Sequence, residues 1–254
     1  MAALLVLAYM LLPNVVVAAF SFNDPKGRYN YAFNEFSSAA WTNPCGAQGI
    51  CESLGLSLQI GVIASLSATV LGTMIAFALG RYRFKGRSAT NLLIFMPMAT
   101  PEVVMGSSLL TLFLMIGVPS GRTAILIAHI MFCVSFVVVA VKARVATLDP
   151  KLEEAAADLG ANPVQTFLRV TLPLAAPGIG AGALLAFSLS FDDYIITNFN
   201  ASPSSITFPM YVWGAAQRGA PVQVNVIGTM MFLVALAVVV IGQLLSSRRE
   251  KARA

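Results

Sequence analysis

Three carboxylates stand where carboxylates are costly. Asp192 and Asp193 lie near the end of one long apolar stretch, and Glu102 follows Pro101 about halfway along another. Ionisable groups in such stretches face a bundle interior or an aqueous path and need a complement. The basic residues fall in the loops rather than beside these acids, so the natural complement is a cation. A carboxylate near aromatic faces suits an ammonium group, and Trp41, Tyr194, Tyr211 and Trp213 are the aromatic side chains available at the same end. Neighbouring residues on a helix point about 100° apart, so only one of Asp192 and Asp193 can face a path squarely. The other either caps a helix, pairs with a partner subunit or reaches interfacial water. Glu102 has a second reading, in which it satisfies backbone groups freed by Pro101. His129, the single histidine, reads as a hydrogen-bonded packing residue rather than a proton relay.

Enzyme chemistry finds little support. The chain has no HExxH, no GxSxG, no metal-ligand cluster and no Walker-type glycine loop. Cofactors are accordingly expected to be none in this chain, and any energy must come from another polypeptide.

The elements that position these residues are membrane spans. Apolar residues make up 57% of the 254 and charged residues 11%, against roughly a quarter charged in soluble domains. A bilayer core needs about 20 apolar residues per helical span. Six stretches qualify: 2–22, 54–80, 91–118, 124–145, 174–199 and 224–245. The expected fold is all-α, a polytopic helical membrane protein with six transmembrane helices forming one domain over 1–254. Alternating ten-residue strands are absent, which argues against an outer-membrane barrel. The first stretch lacks a basic lead and is interrupted by Pro13-Asn14, so it reads as a span rather than a signal peptide.

Orientation follows from lysine and arginine. Twelve of sixteen basic residues crowd the loop after the second span (Arg81, Arg83, Lys85, Arg87), the loop after the fourth (Lys142, Arg144, Lys151, Arg169) and the tail (Arg248, Arg249, Lys251, Arg253). That side, with both termini, is expected to be cytoplasmic. The tail is expected to hold against anionic lipid rather than nucleic acid. Cys45 and Cys51 share the first external loop, where a disulfide is an even choice. Cys133 reads as a small core residue. Gly178, Gly180 and Gly182 make a small-residue face suited to close helix approach, and Pro97 and Pro101 are expected to bend the third span.

The loop 146–173 is too long and too structured to be a simple connection. Asp149-Pro150 opens a helix, with Glu153 and Glu154 near its positive end. Leu152, Ala155, Ala156 and Leu159 make an apolar stripe at helical spacing, and Gly160 ends the helix in a left-handed cap. Asn162-Pro163-Val164-Gln165 restarts it as a capping box. Amphipathic helices that lie on lipid carry a basic face and larger apolar residues; this one is acidic and alanine-rich, which suits packing against protein.

The spacing Glu154-Ala155-Ala156, then Gly160, then Val170 and Leu172-Pro173 resembles the "EAA" loop of binding-protein-dependent ABC importer permeases. The resemblance implies that Glu154, Ala155, Ala156, Asp158, Leu159, Gly160, Leu172 and Pro173 form a coupling helix seated on a cytoplasmic ATPase, which binds the ATP and magnesium. A wider set is similar to permeases of spermidine/putrescine importers, second-permease type. It comprises Phe20-Ser21-Phe22-Asn23, Pro101-Glu102-Val103-Val104-Met105-Gly106, Ala128-His129-Ile130-Met131-Phe132-Cys133, Ser190-Phe191-Asp192-Asp193-Tyr194, Phe208-Pro209-Met210-Tyr211, Arg218-Gly219 and Val224-Asn225. The partners this implies are a homodimeric ABC ATPase, a second homologous permease, an extracytoplasmic polyamine-binding protein and the lipid bilayer, with no nucleic acid, in a bacterial inner membrane. Asp192, Asp193, Glu102, Trp41, Tyr194 and Tyr211 are then the expected substrate-path residues. Alternatives are the same machine with another cargo (iron(III), thiamine, an amino acid or an anion), a stand-alone channel or carrier, and a membrane-anchored scaffold.

Overall fold

The computed structural model describes residues 2–251. The elements are helix α1 (Ala2–Phe20), a hairpin of β1 (Asn23–Asp24) and β2 (Glu35–Phe36), and helices α2 (Ala39–Thr42), α3 (Ile50–Arg81), α4 (Arg87–Ala99), α5 (Glu102–Met115), α6 (Arg122–Ala146), α7 (Lys151–Asp158) and α8 (Pro163–Thr166). A π-helical turn over Phe167–Thr171 leads into α9 (Leu172–Asp192), α10 (Ile195–Asn200), α11 (Phe208–Arg218) and α12 (Val222–Lys251). The strands pair antiparallel, Asn23 opposite Phe36 and Asp24 opposite Glu35. The side chains of the basic tail (Arg248, Arg249, Lys251, Arg253) lie outside the described residues.

Four helical runs among the described residues are long and apolar enough to cross a membrane: Ile50–Arg81, Arg122–Ala146, Pro163–Asp192 and Val222–Gly242. The helical membrane class is as expected, but two boundaries differ. The first expected span is helix α1, Ala2–Phe20. The third is a pair, α4 and α5, bent by 110°, which makes a fifth crossing only if taken as one. Pro101 has no N–H to give, and a residue before proline is pushed out of the helical region. Thr100 and Pro101 are both extended, with ψ 132°, and two extended residues redirect the chain. Pro97 by contrast is accommodated inside α4. The fifth span ends at Asp192 instead of running to Phe199, because Asp193 is extended (ψ 126°) and α10 starts anew.

The chain divides into two compact units. One joins the part up to Glu52 with the part from Tyr211 onward; in it α1 packs against α12, and the Cys45–Cys51 disulfide closes the loop before α3. The other, Ser53–Met210, has its core where α3, α5, α6, α9 and α10 meet, around Ala68, Phe77, Phe113, Phe132, Val137, Val141, Ala186 and Ile196. The pair α6–α9 is its most extensive helix contact. Gly178 lies on the stem of Arg144, where an added Cβ would fall 2.4 Å from Arg144 Cβ, and Gly182 faces Val137 and Ala140. The small-residue face thus serves a neighbouring helix within this unit. α6 runs on to carry Lys142 and Arg144 in its last turns. Lys142 Nζ donates to Asn91 Oδ1 (2.7 Å) and Arg144 Nε to the Leu174 carbonyl (3.1 Å).

Candidate functional site

Two places carry most of the residues singled out by the sequence, and a single helical run, Pro163–Asp192, joins them. At one end is the elbow α7–α8. The Asp149 carboxylate accepts the Lys151 N–H at 3.0 Å, so α7 starts where the Asp-Pro pair places it. α7 ends in a full Schellman cap: Gly160 takes φ +85°, Gly160 N–H donates to the Ala157 carbonyl and Ala161 N–H to that of Ala156. Two residues later a reciprocal capping box opens α8. Asn162 Oδ1 accepts the Gln165 N–H (2.9 Å), and Gln165 Oε1 accepts the Asn162 N–H (3.1 Å). Cap and box define a sharp turn through local hydrogen bonds.

The outer surface of α7 is open. Leu159 is 90% and Leu152 46% exposed, and Glu154, Ala155 and Asp158 are exposed beside them, with Ala156 half-buried. Leu172 is half-buried and Pro173 exposed. The boundary expected between the loop 146–173 and the span 174–199 is not a break: α8 continues through the π turn into α9. Pro173 cannot donate to the Arg169 carbonyl, and its ring crowds that carbonyl. The backbone widens by one residue, with Leu172 N–H reaching the Phe167 carbonyl, and the helix continues through the π turn.

At the other end of the run, α9 stops between the paired aspartates. They face opposite environments: Asp192 is exposed and Asp193 buried. Asp193 receives the N–H groups of Ile196 (3.3 Å) and Thr197 (2.8 Å) and the Thr197 hydroxyl (2.8 Å). It therefore caps α10, and His129 of α6 closes the cluster. His129 Nε2 lies 2.9 Å from Thr197 Oγ1 and 3.3 Å from Asp193 Oδ2, and Nδ1 lies 2.7 Å from Ser190 Oγ. With the Thr197 hydroxyl donating to Asp193, Nε2–H is the donor to Thr197 Oγ1, and Nδ1 shares a hydrogen bond with Ser190 Oγ. Ser190, quoted beforehand only within a motif, and Thr197 are the members not expected at the site.

Asp192 has no basic partner among the described residues. Glu102 is also exposed. It sits at the first position of α5 rather than midway along a continuous helix, at the favourable end of the dipole. α10 packs on α5, with Gly106, one turn beyond Glu102, against the Phe199 ring. Tyr194, half-buried, occupies the step between α9 and α10.

Trp41 and Tyr211 belong to the other unit. Trp41 stacks on Phe22 (centroids 5.2 Å apart), Phe22 stacks on Phe36 (5.6 Å), and Trp41 Nε1 donates to Ser21 Oγ (3.1 Å). One face of Trp41 is thus already occupied. Tyr211 is half-buried near Gly49, and burial pushes its phenol above the ordinary value. Cys133 is buried, its thiol donating to the Ala186 carbonyl. Among the described residues no cluster of His, Cys, Asp and Glu is arranged to hold a metal ion.

Residues 68–251 match the family described as binding-protein-dependent transport system inner membrane component. The chain is 34% identical over 245 residues to the spermidine/putrescine transport system permease protein PotC of Haemophilus influenzae, covering 96% of this chain and 95% of that one. It is 35% identical over 257 residues to the putrescine transport system permease protein PotI of Escherichia coli K12, covering 98% and 91%. The fold is similar to that of a solved bacterial ABC transporter involved in the import of the acidic polysaccharide alginate, with TM-score 0.68, 18% identity and coverage of 97% and 94%.

Proposed function

The chain belongs to the family of binding-protein-dependent transport system inner membrane components, and from that premise we propose that it is the permease subunit of an ATP-driven importer of polyamines. The energy enters through the elbow. A homodimeric ATPase, which binds ATP and magnesium, closes on nucleotide and carries α7 with it through the exposed Glu154, Ala155, Asp158 and Leu159. The spans of this chain and of a second, homologous permease then alternate between outward- and inward-facing states. An extracytoplasmic binding protein delivers the solute. The elbow and both termini lie on the cytoplasmic side of the bacterial inner membrane, and the Cys45–Cys51 loop lies outside, where a disulfide persists.

The observation that carries the cargo assignment is the split between the aspartates. Asp193 is consumed by the α10 cap and His129, while Asp192 is exposed at the same break without a basic partner among the described residues. An uncompensated carboxylate at the end of a span attracts a cation, and the relatives named for spermidine and putrescine match nearly the full chain. Glu102, Tyr194, Trp41 and Tyr211 are the further path residues. An anion would want basic groups in their place.

Competitive uptake tests this reading in vesicles holding the full complex and its binding protein. Unlabelled spermidine and putrescine are expected to suppress ATP-dependent uptake of labelled spermidine, and a neutral sugar to leave it unchanged. Uptake that needs no ATP, or that a sugar suppresses as well as putrescine does, would overturn it.

A further inference from the structure

On its inner side the elbow is tied to a span by residues the coupling motif does not include. Arg81, in the last turn of α3, places Nη2 3.1 Å from Glu153 Oε1 in the first turn of α7. The same oxygen accepts the hydroxyl of buried Thr171 (3.1 Å), at the base of α9. One turn earlier on α3, the Phe77 ring meets Phe167 of the π turn edge-on, centroids 5.1 Å apart. These groups wall a cleft of about 340 Å³ whose lining includes Tyr82 and Ala157. The acid of α7 therefore bridges two spans that are about ninety residues apart in sequence.

We propose that Arg81, Glu153 and Thr171 form a latch that holds α7 at a fixed position on α3 and α9, so that displacement of the elbow moves both spans together. The inference rests on the importer reading above. Glu153 and Glu154 divide the work by helix geometry: at about 100° apart, one turns in to the latch and the other out to the ATPase. An isolated ion pair at this exposure (19% and 33% for the two side chains) is worth little to stability. Its role is positional: it fixes direction, with the threonine and the ring contact removing the freedom a lone pair would leave. Arg81, Glu153 and Thr171 are positioning residues that touch neither solute nor nucleotide.

The test uses the complete complex in proteoliposomes and reads ATP hydrolysed per spermidine imported. Arg81→Gln and Glu153→Gln are each expected to raise that ratio by about fivefold, the range over which single residues modulate coupling, while all subunits still co-purify. The exchange Arg81→Glu with Glu153→Arg is expected to bring the ratio back to within about twofold of the unaltered complex, because the effects of two residues in contact do not add and the exchange restores their pair. Normal ratios in both single variants, or an exchange no better than they are, would overturn the latch. A second measurement needs no cargo. Tyr82→Cys and Ala157→Cys, joined by a short bismaleimide, should cross-link equally with and without trapped nucleotide if the latch is rigid, and a nucleotide-dependent yield overturns it. Failure of spermidine uptake in the unaltered complex would strike the polyamine reading instead and leave this cross-link able to decide.

Discussion

Replacing Gly160 separates a backbone requirement from a contact requirement. Its φ of +85° lies where a side chain is strained, yet an added Cβ would meet nothing within 4 Å. A substitution is therefore penalised through backbone energy alone in the isolated chain, roughly 1–2 kcal/mol for a residue with a Cβ in the left-handed region and less for asparagine. α7 has eight residues, too few to hold its end without the cap. A loss of that size shifts the ratio of capped to frayed elbow by about 5–30-fold. Gly160→Val should lower spermidine uptake per ATP hydrolysed by about that factor, with the subunits still assembled. Gly160→Asn should remain within about threefold of the unaltered complex, because asparagine visits this region readily. Parallel measurement of phosphate release and uptake in proteoliposomes reads both. An unchanged ratio in the valine variant refutes the cap as the source of coupling. An asparagine variant as impaired as the valine one refutes the backbone argument and points to a seat on the ATPase that admits no side chain.

The aspartates should separate by assay. Asp193→Ala leaves buried donors of α10 and His129 without their acceptor, a loss of about 1–3 kcal/mol, and should lower the melting temperature of the purified complex; Asp192→Asn should leave melting unchanged and raise the half-saturating spermidine concentration. Equal melting of the two variants would contradict the assignment. Gly178→Ala drives a Cβ into the Arg144 stem and should destabilise the α6–α9 pair by about 1–3 kcal/mol, whereas Gly180→Ala, with open space around it, should not; thermal melts that rank them the other way refute the close approach. In intact cells an impermeant maleimide should label Cys45 and Cys51 only after reduction and leave buried Cys133 unlabelled. Labelling that requires permeabilisation would invert the proposed orientation.

The features legible in the sequence are those set by local rules. Gly160 and the Asn162–Gln165 box could be read because a left-handed cap and a reciprocal cap each involve residues within a few positions of one another. The long apolar runs were legible for the same reason, since hydropathy is a window property. That window is blind to direction. The stretch 91–118 is continuous in apolarity; Pro101 marked a bend in the sequence, and the backbone gives its size, 110°. The π turn was hidden because proline's missing donor can be met by a break or by a widened turn, and packing of Phe167 on Phe77 accompanies the second. The aspartate pair was ambiguous on helical geometry alone; Thr197 and His129 decide which carboxylate turns inward. Arg81 and Glu153 meet across more than seventy residues, and no local pattern pairs them.

The elbow and the exposed aspartate are the two ends of one run. Pro163–Asp192 contains 30 helical residues, about 45 Å at 1.5 Å per residue, enough to span a bilayer core of about 30 Å with an end on each side. One end is fixed through the Schellman turn and Thr171, the other through the Asp193 cap and His129, and its flank lies on α6 along Gly178 and Gly182. A rod held at both ends and along one side moves as a unit with its neighbours or not at all. On that geometry a displacement imposed at α7 reaches Asp192 without a relay of side-chain rearrangements. The hold at the two ends depends on Gly160 at one and the extended Asp193 at the other. Variants that stiffen or loosen those two positions should therefore change the ratio of transport to hydrolysis, while substitutions on the exposed mid-length of α9, such as Leu184→Ala, should leave it unaltered.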